Sequence, residues 1–352
     1  MLVASLALGL VAIEVLSFAF FKAPGLWRGR LPEGVERQAL RYHQTFLRGA
    51  PIQARLECTE HDPELLYQLR PGSCRFDTDE FETVVSVSRR HLREDRESDE
   101  PDFVVLGDSY SLGWGVSREE AYPAILAKDL NAVEVVAANS SYGTPRELLL
   151  LRRLHLRDFR AVVLQYCTND LEENQAFVEA RGYRPSPPSV FFDAVRIMSR
   201  IDGKRFLKYS RHWFSMLWSD FRSPRQKGRG AVTPTEQARL LLDILGAFSE
   251  ELRGKPILIF AADFGRDDAA FVRALNTLDK PKGLGTVVGL DATGGLTRSD
   301  AFVMDQHWRA SGHREIARAL ERELKVAVYR PSSASRTALS FSRQPLRTLT
   351  NN

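Results

Sequence analysis

The chain has 352 residues, 43% of them apolar and 27% charged, with a formal net charge of +4. This is enough chain for one large domain or two modest ones, with no compositional bias. There is no internal repeat, Gly-rich nucleotide loop or zinc-type Cys/His spacing, so no metal or organic cofactor and no nucleic-acid partner is expected. Charge is unevenly spread: ten Lys/Arg and only two acids, Asp202 and Asp220, lie between Arg196 and Arg229.

Residues Leu2 to Phe21 (LVASLALGLVAIEVLSFAFF) are almost wholly apolar and about the length that crosses a bilayer. Glu14 interrupts them, at a cost of up to ~3 kcal/mol near the centre, but twelve Leu, Ile, Val and Phe residues return ~0.3–0.6 kcal/mol each. The alternative is a cleavable signal peptide, yet KAPGLWRGR follows with no convincing cleavage site. The expectation is a retained transmembrane anchor over residues 1–22.

Orientation draws on two opposed features. Lys22, Arg28 and Arg30 follow the span with nothing basic before it, which by charge alone leaves the body cytoplasmic. Cys58 and Cys74 flank a segment containing Pro63, Pro71 and Gly72 that lets its ends meet. They are either a disulfide, which needs an oxidising compartment, or two unpaired thiols. A span opening at residue 2 also suggests a start codon placed too late, with a basic leader lost. The expected location is a single-pass cytoplasmic (inner) membrane protein with its body outside the cytoplasm, in the periplasm.

Residues 23–100 form a leader region with a helical stretch (EGVERQALRYHQTFLRG), the candidate disulfide loop and one strand, Phe81 to Ser88. The charge run HLREDRESDEPD reads as solvated and sets a boundary near residue 100. From 101 to 330 apolar runs alternate with amphipathic stretches. Strands are expected at Phe103–Leu106, Val133–Ala137, Ala161–Gln165, Pro256–Ala261 and Thr286–Leu290. Ser117 with Glu120, and Thr233 with Pro234 and Glu236, are helix starts, the second helix running to Gly254. Ser311 opens a last helix. Alternation with fully apolar strands predicts a parallel sheet covered on both faces. Residues 175–230 carry no strand pattern and read as a helical cap, its bases and aromatics facing anionic lipid or an acidic polysaccharide, or simply snorkelling on a lid. The tail, 331–352, is Ser/Thr-rich and expected to be disordered.

The first strand leads into GDSYSLGWGV, which puts Ser109 beyond a strand's carboxyl end, where open parallel sheets bind ligands. The third ends in QYCTND, placing Asn169 at the same edge. MDQHWRASGHREIA, after the last strand, supplies Asp305 and His307. A serine hydroxyl needs an imidazole to take its proton, and the imidazole needs a carboxylate to hold its tautomer. Elsewhere His313 reads as a surface residue, Cys167 as a small buried one, and Trp114 and Trp308 as acyl-pocket wall or core.

These three segments together resemble blocks I, III and V of the SGNH (GDSL-type) hydrolase family, most of all its membrane-anchored extracytoplasmic bacterial members. The resemblance covers roughly residues 100–325, and the leader's DPELLYQLRPGS is similar to theirs. It implies an α/β three-layer, flavodoxin-like domain with a five-stranded parallel sheet, preceded by an N-terminal transmembrane helix. It implies Ser109 as nucleophile and His307 as general base oriented by Asp305, with the Ser109 N–H and Asn169 amide as oxyanion donors. Two departures stand out. Asp305 and His307 are one residue apart where many members have two, and in AANSSYGTPRELL the second-block glycine is replaced by Ser141, with Gly143 two residues on. The implied activity is an esterase or O-acyltransferase on a carbohydrate ester, an acetylated surface carbohydrate being the plausible substrate. The alternative is a non-catalytic, membrane-tethered carbohydrate-binding or assembly protein on the same fold.

Overall fold

The computed structural model describes residues 2–329 apart from 95, 202–205, 212, 214–217, 219–231 and 263–267. The tail expected from 331 and most of the basic stretch after 201 lie outside the described residues.

Five apolar runs form one parallel sheet. The strands are β5 (Phe103–Gly107), β6 (Glu134–Ala138), β7 (Ala161–Tyr166), β8 (Ile257–Ala261) and β9 (Val287–Gly289), in the order β6-β5-β7-β8-β9. Successive side chains point to opposite faces. Val104, Leu106, Val162, Leu164, Ile257 and Ile259 therefore enter one core layer, while Phe103, Val105, Val163, Leu258 and Phe260 enter the other. Both faces are covered, as burial of every residue in β5 to β8 requires.

The first layer is closed by α5 (Thr144–Arg153), α8 (Pro234–Ala247), α9 (Ser249–Leu252) and α10 (Asp268–Thr277), the second by α4 (Tyr122–Leu130) and α11 (Ala310–Tyr329). In α11 the buried side chains Ile316, Leu320, Leu324 and Val328 recur every fourth residue and form one apolar stripe. Each contributes roughly 1.5–3 kcal/mol by burial. The helix expected to run to Gly254 is broken at Phe248, whose φ of −111° is not helical. Between β7 and α8 the chain adds α6 (Leu171–Ala180) and α7 (Pro188–Ile201), so the described part of the 175–230 insertion is largely helical.

Ahead of the sheet stand α1 (Leu2–Lys22) and α2 (Glu33–Tyr42), the latter continuing through a π turn over His43–Leu47. Two antiparallel hairpins follow: β1 (Thr59–Asp62) with β2 (Leu66–Leu69), and β3 (Gly72–Asp77) with β4 (Glu82–Val87). Only β4 was legible, because TEHD, LYQL and GSCRFD lack a β-branched run. Cys58 and Cys74 are disulfide-bonded, with Cα atoms 5.3 Å apart.

The charge run before residue 100 corrects the sequence reading. Leu92, Arg93 and Glu94 are buried. The Arg93 guanidinium donates to the carbonyls of Leu112, Gly113 and Val116 at 2.9, 2.8 and 2.8 Å. Carbonyls at the end of the short α3 (Ser109–Leu112) have no helical partner, and Arg93 satisfies them.

Candidate active site

β5 delivers Gly107, Asp108 and Ser109 to the carboxyl edge of the sheet. Gly107 is required by close approach. A Cβ there would lie 2.2 Å from Ser111 Oγ and 2.5 Å from Gln165 Oε1. Gln165, on β7, accepts from the Asp108 N–H and the Ser111 hydroxyl, both at 3.0 Å, and so locks the strand end. Asp108 caps α3 by accepting from the Tyr110 N–H at 3.0 Å. Ser109 is the first residue of α3, so its N–H has no intrahelical acceptor.

His307 arrives from the loop before α11. Its Nε2 lies 2.8 Å from Ser109 Oγ, and its Nδ1 is hydrogen-bonded to Asp305 Oδ1. An ionised carboxylate only accepts, so Nδ1 carries the proton and Nε2 is left to accept from the serine. The short Asp305–His307 spacing is met by Gln306, whose φ of +73° turns the chain so that both flanking side chains reach each other. Burial by itself raises the Asp305 carboxyl. The His307 charge and hydrogen bond, then Arg48, outweigh it and hold it well below the usual carboxylate range.

Several supporting residues were not found by sequence reasoning, and most come from the leader. Arg48 Nη1 lies 3.1 Å from Asp305 Oδ2, and its guanidinium sits 5.1 Å over the Trp114 ring. The Trp114 and His307 rings stack, 4.6 Å apart and 15° from parallel. Trp114 is thus a buried platform for the imidazole, while Trp308 is buried in the core. Glu80 accepts from the N–H groups of Val303, Met304 and Asp305 at 2.8, 2.9 and 2.7 Å. Gln44 donates to the Met304 and Asp305 carbonyls at 3.3 and 3.2 Å. No catalytic motif marks these residues. The only signal was the DPELLYQLRPGS likeness near them.

The second block is a tight turn. Tyr142 N–H bonds the Asn139 carbonyl at 3.2 Å, with Ser141 at a φ of +58°. That position favours glycine, and a residue with a Cβ is strained there by roughly 1–2 kcal/mol. The leader compensates: Gln53 donates to Ser141 Oγ at 3.0 Å and accepts from Ser140 Oγ at 2.9 Å. Arg146 holds the Ser141 carbonyl at 2.6 Å. Gly143 is engaged elsewhere. It caps α5 and its N–H donates to Glu173 at 3.1 Å, so of the two second-block candidates only Ser141 has an N–H without an assigned acceptor. Asn169 is exposed at the same edge, its amide donating to Asp108 Oδ2 at 2.9 Å.

Cys167 is buried and outside any disulfide, and His313 corrects the sequence reading. It is 1% exposed and accepts from the Tyr122 N–H at 3.3 Å, and burial pulls its imidazole down to about 3. It lies on the inward face of α11, not on the surface. No group of His, Cys, Asp and Glu among the described residues is arranged to hold a metal.

No protein-family model matches the sequence, and no curated protein matches it. Three solved structures illustrate the resemblance in shape. One is a carbohydrate esterase family 2 enzyme plus carbohydrate binding domain from Corynascus thermopiles (Myceliophthora fergusii), at 15% identity over 72% of this chain and 70% of that one, TM-score 0.36. Another is an acetyl xylan esterase from the rumen bacterium Butyrivibrio proteoclasticus, at 13% identity over 71% and 67%, TM-score 0.36. A third is a salicylyl-acyltransferase from a tetracycline biosynthetic pathway, at 14% identity over 73% and 59%, TM-score 0.35. At these values the functional reading rests on the geometry of the site and not on the likeness.

Proposed function

We propose that the chain is a membrane-anchored serine esterase or O-acyltransferase of the SGNH class, acting on a carbohydrate ester. The observation that carries this is the continuous relay from Ser109 Oγ to His307 Nε2, 2.8 Å apart, and from His307 Nδ1 to Asp305. In the reaction the Ser109 oxygen attacks the acyl carbonyl as its proton passes to His307 Nε2. The carbonyl oxygen becomes an oxyanion facing the Ser109 and Ser141 N–H groups and the Asn169 amide. His307 returns the proton to the departing alkoxide, leaving an acyl-serine. Water or a sugar hydroxyl, deprotonated by His307, then takes the acyl group.

A cavity of about 560 Å³ is lined by Arg146, Glu173, Arg184 and Tyr183 together with Leu66 and Phe177, and by none of Ser109, Ser141, Asn169 or His307. Retention of the anchor is supported by its packing: Phe21 is buried with Trp27, Tyr42 and Met304 of the body. Lys22 bonds Asp79 at 2.7 Å. The Cys58–Cys74 bond supports an extracytoplasmic, periplasmic body.

A fluorophosphonate probe tests the reading. The wild type should be labelled at Ser109, and labelling should vanish in Ser109→Ala and His307→Ala. Absence of both labelling and p-nitrophenyl acetate turnover in the wild type would favour a non-catalytic carbohydrate-binding or assembly protein instead.

A further inference from the structure

We propose that residues 206–211 and Trp213, in the insertion ahead of α8, dip into the lipid bilayer alongside α1 and are latched there by Glu14. The inference rests on α1 being a retained membrane anchor.

Glu14 is the one charged residue in Leu2–Phe21. Its carboxylate accepts from the N–H groups of Tyr209 and Ser210 at 2.8 and 3.0 Å and from the Ser210 hydroxyl at 2.7 Å. An acid within a membrane span needs such a partner, and this one is supplied by the distant insertion. Aromatic contacts extend the seam. Phe18 meets Tyr209 edge-on at 5.0 Å, and Phe20 and Phe21 meet Trp213 at 5.9 and 5.5 Å.

Length decides where the seam lies. The 21 residues of α1 make a helix of about 31 Å, matching a hydrocarbon core of about 30 Å. Were the membrane boundary drawn just before Glu14, the part from Leu2 to Ile13 would measure only about 18 Å, too short to span. Glu14 therefore belongs inside, about 12 Å along the helix axis from Lys22. Tyr209 and Ser210, hydrogen-bonded to it, are carried to about the same depth, slightly beyond the 5–10 Å of interfacial segments.

The segment suits that depth. Phe206 is 80% exposed and would meet acyl chains. Lys208 and Arg211 are long enough to extend their charges to lipid phosphates. Non-helical backbone is tolerated there only with protein partners. Two N–H groups are held by Glu14, and the Lys208 carbonyl accepts from the Tyr42 hydroxyl at 3.0 Å. Tyr42 shares an apolar cluster with Met304, the neighbour of Asp305, so the latch also sets the height of the Asp305 loop above the lipid.

The test uses the full chain with Phe206→Cys carrying an environment-sensitive nitrobenzoxadiazole label, in vesicles of phosphatidylcholine and phosphatidylglycerol. Native thiols do not compete, since Cys58 and Cys74 are bonded and Cys167 is buried. The expected result is blue-shifted emission and several-fold weaker iodide quenching than for the same label at Arg37→Cys. Adding Glu14→Ala should return both readings toward those at Arg37→Cys while the chain stays carbonate-resistant. If Phe206→Cys fails to fold, Arg211→Cys carries the same label. A carbonate-resistant chain whose label behaves as at Arg37→Cys overturns the proposal alone. Release by carbonate overturns the anchor reading, and this inference with it.

Discussion

Replacing Arg48 by methionine probes how the leader supports the candidate site. Arg48 reaches the outer oxygen of Asp305 at 3.1 Å and covers Trp114, whose own ring stacks on His307. Methionine keeps much of the side-chain volume and removes the charge. A hydrogen bond to a charged group is worth about 1.5–3 kcal/mol. If the whole of that acts on the relay in the transition state, kcat for p-nitrophenyl acetate falls by about 10- to 150-fold. Arg48→Lys, which keeps the charge, should lose only part of that rate. An Arg48→Met rate equal to that of the wild type, or an Arg48→Lys loss as large as that of Arg48→Met, refutes the reasoning. The second outcome would reduce Arg48 to a packing residue of the leader.

Asn169→Ala should lower kcat about 100- to 1000-fold, the usual effect of deleting one oxyanion donor, and a loss below about threefold removes Asn169 from the assignment. Replacing Cys58 and Cys74 by serine opens a loop with a sequence separation of 16 and should destabilise the fold by about 3 kcal/mol in denaturant titrations. Reductant should then no longer affect stability. Burial pulls His43 down to about 4 and His313 to about 3. In the unfolded chain both take a proton near pH 6.5, so their contribution is fully present above that pH and is lost as pH falls toward 4. For His43 this amounts to about 3 kcal/mol, and a melting temperature that stays flat between pH 7 and 4 contradicts it.

The strands of the sheet and their apolar chemistry were legible locally. Five runs of β-branched and apolar residues, alternating with amphipathic stretches of which three have readable starts, suffice for a parallel sheet. GDSYSLGWGV and YCTND mark the ends of two of its strands, and DQHW marks the loop before α11, because those turns need particular residues. The supporting shell was not legible, since Gln53 and Glu80 sit in segments with neither periodicity nor motif, and Arg48 closes a helical stretch that carries no catalytic motif. Their importance arises only when folding brings the leader against loops between 87 and 257 residues away. Burial deceived the sequence reading for the same reason. Arg93 and His313 look like solvent-facing residues by type and position, yet unsatisfied carbonyls recruit the first, and the inward face of α11 carries the second beneath Tyr122. Local composition records what a residue prefers, whereas the groups left without partners elsewhere in the chain decide where it goes. Glu14 shows both levels at once: its position in an apolar span is written in the sequence, and its partner, 195 residues further on, exists only in three dimensions.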